Sequence, residues 1–179
     1  MPDSPASVRA VFALAAMLLP VAASAAGGEF DFGPYHLAVF ADTSAVMTTT
    51  DYQITVANEE LILTRLTAPF EGTLSKSFVD DLDGDGNFEV VVTYADDQGR
   101  RTGLDVYRWR EYLLEPVRLA ALEAAQAAGY QGGDEFAVVD HTLVRIFQVY
   151  EQAEGGWQPT AAQRRLRYSF ADGHWVAGP

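Results

Sequence analysis

The stretch that limits the fold most is S-F-V-D-D-L-D-G-D-G-N-F-E-V-V-V-T, residues 77–93. Taking Asp81 as the first position, carboxylates fall at Asp81, Asp83, Asp85 and Glu89, with the Asn87 carbonyl between the last two. This is the spacing that opens a calcium loop, in which oxygen donors at alternate positions converge on one hard cation. Gly84 and Gly86 let the backbone fold back tightly between those donors. A helix-loop-helix calcium site needs a bidentate Glu at its twelfth position, and Val92 stands there. The residues that follow, from Phe88 to Tyr94, are β-branched, aromatic and alternating, so the loop joins two strands and a helical hand is excluded. Two readings stay open for the loop itself. Either Asp81, Asp83, Asp85, Asn87 and Glu89 hold Ca²⁺, or the stretch is an acidic turn in which Asp and Asn bond their own backbone.

Alternation dominates the rest of the chain. Tyr52, Ile54 and Val56 share a face against Gln53 and Thr55, and Asn58-Glu59 turns the chain towards Leu61 and Leu63 as a hairpin. Leu74, Lys76 and Phe78 oppose Ser75, Ser77 and Val79, with Lys76, the single lysine, read as a sheet-surface residue. Phe88, Val90, Val92 and Tyr94 form one face while Glu89, Val91 and Thr93 form the other, and apolar residues on both sides mark a central strand. The polar run D-D-Q-G-R-R-T-G, residues 96–103, then feeds Leu104, Val106, Tyr107 and Trp109 as a second hairpin. Between Pro116 and Ala128 the period changes: Leu119 and Leu122 are three apart, alanines fill the intervals, and Gly129 can cap the end. This predicts one short helix near 117–128. Strands are expected again over 134–140, 142–150, 164–170 and around Trp175, with 151–163 as a surface loop. The fold class is therefore all-β, an antiparallel β-sandwich or flattened barrel of about eight or nine strands with one short helix.

A chain of 179 residues with 49% hydrophobic content has room for one well-packed domain. Arg9 precedes an apolar run over 10–22, and Ala23-Ser24-Ala25 is a small-x-small cleavage pattern, so residues 1–25 read as a secretory signal peptide cut after Ala25. A loose segment over 26–35 and a single domain over 36–179 are expected to follow. No later segment offers eighteen uninterrupted apolar residues, so no membrane span is expected in the mature chain, which is assigned to the periplasm or the exterior. The chain has no cysteine, so its core must hold without disulfides. The leader carries one acid, Asp3, and one base, Arg9, and its removal leaves the net charge of −13 unchanged. That charge argues against nucleic acid and anionic lipid, and fits a cationic partner or a solvated acidic surface.

Catalytic signatures are missing from the sequence. His36, His141 and His174 stand apart, without an HExxH pair or a GxSxG elbow. Glycoside hydrolysis needs one carboxyl kept protonated by burial beside another left ionised, and the acids here cluster in turns, where solvation keeps them ionised. The chain is read as a non-enzyme.

Four blocks carry a resemblance to a known family. They are V-D-D-L-D-G-D-G-N-F-E-V-V-V (79–92), G-L-D-V-Y (103–107), G-Y-Q-G-G-D-E-F (129–136) and L-V-R-I-F-Q-V-Y (143–150), followed by Arg165 and Tyr168 in a closing strand. In this order and spacing the chain resembles the periplasmic inhibitors of invertebrate-type (i-type) lysozymes. The resemblance implies a periplasmic β-sandwich, often a homodimer, that requires no cofactor and blocks lysozyme by inserting a hairpin loop into the enzyme's cleft. The corresponding tip here is Gln98, Gly99, Arg100, Arg101, Thr102 and Gly103. Gly99 and Gly103 match the family's loop, whereas its inserting Ser and Tyr are replaced. Arg100 and Arg101 either pair with the acidic residues of a lysozyme cleft or keep the tip soluble. Two other functions stay open: a calcium-stabilised extracytoplasmic binding module without inhibitor activity, and a small secreted hydrolase, which would show a pocket flanked by two buried carboxylates.

Overall fold

In the computed structural model, residues 27–42, 50–96, 102–171 and 174–178 are described. The expected signal peptide and four residues of the expected hairpin tip, Gln98, Gly99, Arg100 and Arg101, lie outside them. The described residues form twelve strands in three four-stranded antiparallel sheets. The first is a meander of β1 (Gly28–Phe32), β2 (Tyr35–Asp42), β3 (Thr50–Asn58) and β4 (Leu61–Phe70). The second continues with β5 (Thr73–Asp80), β6 (Glu89–Ala95), β7 (Thr102–Arg110) and β8 (Leu113–Val117). The third holds β9 (Glu135–Val139), β10 (Thr142–Ala153), β11 (Gly156–Ala171) and β12 (His174–Gly178).

Alternation along β6 explains how three sheets stack. Val90 and Val92 point into one apolar layer, where they meet Leu37, Tyr52 and Ile54 of the first sheet. Val91 points into a second layer, shared with Phe136, Leu143, Tyr168 and Trp175 of the third sheet. The middle sheet is thus buried on both faces, and Val90, Val91 and Val92 are all fully enclosed. Each such side chain contributes about 1.5–3 kcal/mol through removal from water. The first layer ends in a ring cluster around Phe88, which stacks on Trp109 at 5.3 Å between centroids and meets Phe32 and Tyr35 at 5.5 and 5.7 Å. The result is sandwich-like, with one layer more than a two-sheet sandwich, and the sheets do not close into a barrel.

Several expectations are corrected. Among the described residues there is no helix, and the one expected near 117–128 is replaced by the end of β8 and a strap of turns. Pro116 sits in β8, an edge strand, where its missing N–H costs no ladder bond. Leu119 then bridges Trp175, and the Ala120 N–H donates to the Trp175 carbonyl at 3.0 Å, so pairing with β12 outweighs the helical propensity of the alanines. One isolated turn survives, closed by the Ala127 N–H on the Glu123 carbonyl at 2.8 Å. Gly129 follows it in a left-handed conformation, where a Cβ would collide with the Tyr150 carbonyl. The stretch 151–163, expected as a loop, instead extends β10 and β11 around a two-residue turn at Glu154-Gly155. Residues expected to be loose over 26–35 include β1, paired to β2 across Gly33-Pro34. Finally, a bulge between Leu74 and Lys76 breaks the alternation of β5, so that Leu74 faces the first apolar layer and Phe78 the second.

Candidate metal centre

The loop between β5 and β6 is anchored before any ion is considered. Leu82 drops into the second apolar layer and is 7% exposed, while Phe88 is fully buried in the first. Around these two plugs Asp81, Asp83 and Asp85 each spend oxygen on the loop backbone. Asp81 accepts from the N–H groups of Gly84 at 2.8 Å and Gly86 at 3.0 Å. Asp83 accepts from Asp85 N–H at 3.1 Å, and Asp85 accepts from Asn87 N–H at 2.8 Å. Gly84 and Gly86 both take positive φ, +78° and +86°, a left-handed conformation that side-chain-bearing residues rarely adopt and that lets the chain reverse here.

The carboxylates of Asp81, Asp83 and Glu89 converge, with one ligand oxygen of each lying within 4.8 Å of the others. Glu89 is the unusual member. It begins β6 with its side chain fully buried, accepts the Leu82 N–H on Oε2 at 2.8 Å, and leaves Oε1 enclosed without a hydrogen bond. Burial pushes its carboxyl up to about 7 against the pull of that N–H, and the neighbouring Asp83 and Asp85 add to the rise. Burial likewise raises Asp83, whose side chain is 2% exposed. The expectation that the loop acids are all solvated is therefore wrong for these two.

Of the five sequence-predicted ligands, Asp81, Asp83 and Glu89 are brought together. Asp85 and Asn87 are exposed, and the Oδ1 of Asp85 takes both the backbone N–H and the side-chain amide of Asn87. The donor set is all oxygen and carries a buried acceptor without a hydrogen bond, which is the chemistry a hard divalent cation satisfies. A residue that the motif reading missed completes the surroundings. Arg108 lies opposite Glu89 in the β6–β7 register, with Nε 3.4 Å from Asp83 Oδ2 and 3.9 Å from Glu89 Oε1. The signal for it was present: Leu104, Val106 and Arg108 share one strand face, and a guanidinium on an apolar face needs a partner.

The tip residues that have a described position are Thr102 and Gly103, at the start of β7, paired with Ala95 and Tyr94. Gly103 lies so close to the Tyr94 ring that any Cβ would overlap it. The histidines stay apart: His36 pairs with Asp31 at 2.9 Å, His141 with Asp80 at 2.8 Å, and His174 starts β12.

A second polar constellation lies at a cleft of about 880 Å³ between the second and third sheets, lined in part by Leu104, Tyr130, Asp134, Phe136, Arg145 and Tyr168. Arg145 makes a two-pronged pair with Asp134, Nε to Oδ1 at 2.7 Å and Nη2 to Oδ2 at 2.9 Å, and Tyr130 donates to the same carboxylate at 2.5 Å. The G-Y-Q-G-G-D-E-F and L-V-R-I-F-Q-V-Y blocks thus meet in one network. Its carboxylate is held by Arg145 and Tyr130 together.

Among the described residues no helix is long and apolar enough to cross a membrane. Comparison of the chain with protein-family models, with curated proteins and with solved structures finds no match in any of the three.

Proposed function

We propose that this chain is an exported, calcium-stabilised β-sandwich module that works by binding another protein, with Asp81, Asp83 and Glu89 as the core of its ion site. The observation that carries the reading is Glu89: an enclosed carboxylate oxygen without a hydrogen bond, beside two further carboxylates that point to the same spot. Bound Ca²⁺ would satisfy that oxygen and cancel the repulsion among the three acids. Because the loop joins β5 to the central strand β6, stabilising it stiffens the middle sheet on which both apolar layers rest.

The proposed target is a lysozyme of the invertebrate type. Support comes from the four sequence blocks and from the hairpin that carries Arg100 and Arg101. Its two strands, β6 and β7, are the inner strands of the middle sheet, and their last described pair is Ala95 with Thr102. Arginines suit a cleft that works through carboxylates.

Two experiments test the two halves. Calorimetric titration of the chelator-treated mature protein with CaCl₂ is expected to show one site and a higher melting temperature; melting insensitive to Ca²⁺ and chelator would leave the loop a plain turn. Titration of an invertebrate-type lysozyme with the protein is expected to abolish lysis, and Arg100→Ala with Arg101→Ala to weaken the block. Full lysozyme activity at micromolar protein would remove the inhibitor reading for that target.

A further inference from the structure

We propose that Arg108 is a resident competitor for the ion site, a fixed positive charge that compensates Asp83 and Glu89 without occupying their lone pairs and thereby sets how tightly the loop takes Ca²⁺. This rests on the calcium reading above and deepens it.

The argument begins with a contrast between two arginines of the same protein. Arg145 meets Asp134 as a guanidinium usually meets a carboxylate, with two short parallel bonds. Arg108 lies within ion-pair distance of two buried carboxylates, and its Nε makes a hydrogen bond to neither. Its Nε stands 3.4 Å from Asp83 and 3.9 Å from Glu89, makes no hydrogen bond, and is itself enclosed. Two complementary buried groups, Glu89 Oε1 and Arg108 Nε, thus face each other across a gap and remain unsatisfied. Unmade bonds of this kind are costly in a closed interior, and their persistence needs a reason.

The guanidinium is held back from the other side. Its Cζ lies 4.4 Å from the centroid of the Phe170 ring on β11, a cation–π contact that draws the charge towards the third sheet. In register Arg108 is bound to face this way, since it pairs directly with Glu89 and shares that strand face with Val106. Asp83 and Glu89 are therefore shared between the convergent acids of the loop and the arginine. A cation entering from the loop meets free oxygen lone pairs, but it also meets a like charge a few ångströms from them. Repulsion at such a distance in a partly buried setting is large enough to weaken binding by an order of magnitude or more.

Isothermal titration of CaCl₂ into chelator-treated Arg108→Gln protein tests this. The expected result is a dissociation constant lowered about tenfold relative to wild type, while Arg108→Lys, which keeps a charge, stays much closer to wild type. Equal or weaker binding by Arg108→Gln, with wild type binding normally, overturns the competitor role and leaves the calcium site standing. Failure of both proteins to bind overturns the calcium reading and this inference together. Binding by Arg108→Gln alone supports it in its strongest form. Should the variant not fold, the wild-type ¹⁵N spectrum decides: the Arg108 Nε–Hε signal is expected to shift on titration with Ca²⁺ in step with the loop amides, and a signal that stays fixed while those amides move overturns the proposal.

Discussion

The hydroxyls of Tyr52 and Tyr107 lie 2.7 Å apart, one on the first sheet and one on the second, inside the first apolar layer. Tyr52 also donates to Asp105 Oδ2 at 2.7 Å, and a carboxylate only accepts, so the Tyr52 proton goes to Asp105 and Tyr107 donates to Tyr52. Burial raises the pKa of both phenols, and the chain of bonds fastens the two sheets at a point where apolar contact alone has no direction. Tyr52→Phe is expected to cost about 1–3 kcal/mol, because it leaves Tyr107 and Asp105 each short of a partner. In a urea-denaturation double-mutant cycle, Tyr52→Phe with Tyr107→Phe should cost less than the sum of the two single changes.

The stacked sheets make a sharper demand on β6. Val90→Ala and Val91→Ala alter neighbouring residues on opposite faces, both fully buried. Each is expected to cost about 2 kcal/mol in the same denaturation experiment. A molecule of only two sheets would leave one of these nearly neutral, so a cost below about 0.5 kcal/mol at either position would contradict the three-layer arrangement.

Acidity gives a third test. The Glu89 carboxyl is raised from 4.5 to about 7 in the metal-free fold. A group raised on folding favours the folded state when protonated, so its contribution is complete below about pH 4.5 and disappears as pH climbs through 7. The difference corresponds to roughly 3 kcal/mol. His36 and His141, raised chiefly by their hydrogen bonds to Asp31 and Asp80, titrate with the same sign. Comparison with Glu89→Gln isolates the carboxyl. Without Ca²⁺ the wild-type melting temperature is expected to fall more steeply between pH 5 and 8 than that of the variant, and saturating Ca²⁺ should remove the wild-type excess.

The turn from β7 to β8 offers a stabilising change. Glu111 and Tyr112 both adopt positive φ, 49° and 64°, in a two-residue hairpin between Arg110 and Leu113. Asn and Gly accept that geometry with less strain, so Glu111→Asn with Tyr112→Gly is expected to raise stability by about 0.5–1 kcal/mol. A drop in the melting temperature would show that the edge contact of Tyr112 with Trp109, at 6.1 Å, outweighs the backbone relief.

What the sequence displayed and what it concealed follow from the range of the forces involved. The shared face of Tyr52, Ile54 and Val56 and the two-sided burial of β6 are properties of the pleat, which acts between nearest neighbours. The convergence of Asp81 with Asp83 is likewise local, because three successive turns within one loop produce it. Concealed were the effects that need a distant partner. The alanines after Pro116 favour a helix until β12 offers Leu119 and Ala120 a strand to lean on, and β12 lies more than fifty residues later. The hairpins at Glu111-Tyr112 and Asp140-His141 turn through left-handed residues that carry no Asn-Gly signature. For Arg108 the alternation with Leu104 and Val106 shows that a partner is needed, but which partner emerges only once the opposite register residue is known to be Glu89.

The position of Glu89 between Phe88 and Val90 reaches beyond ion chemistry. In a pleated strand, sliding β6 by a single residue would exchange its two sides, thrusting a carboxyl among the rings of Phe32, Tyr35 and Trp109 while turning Phe88 towards the acids. Neither environment tolerates the other's occupant. The loop thus works as an alignment key for the central ribbon, penalising misthreaded pairings during folding whether or not a cation ever arrives.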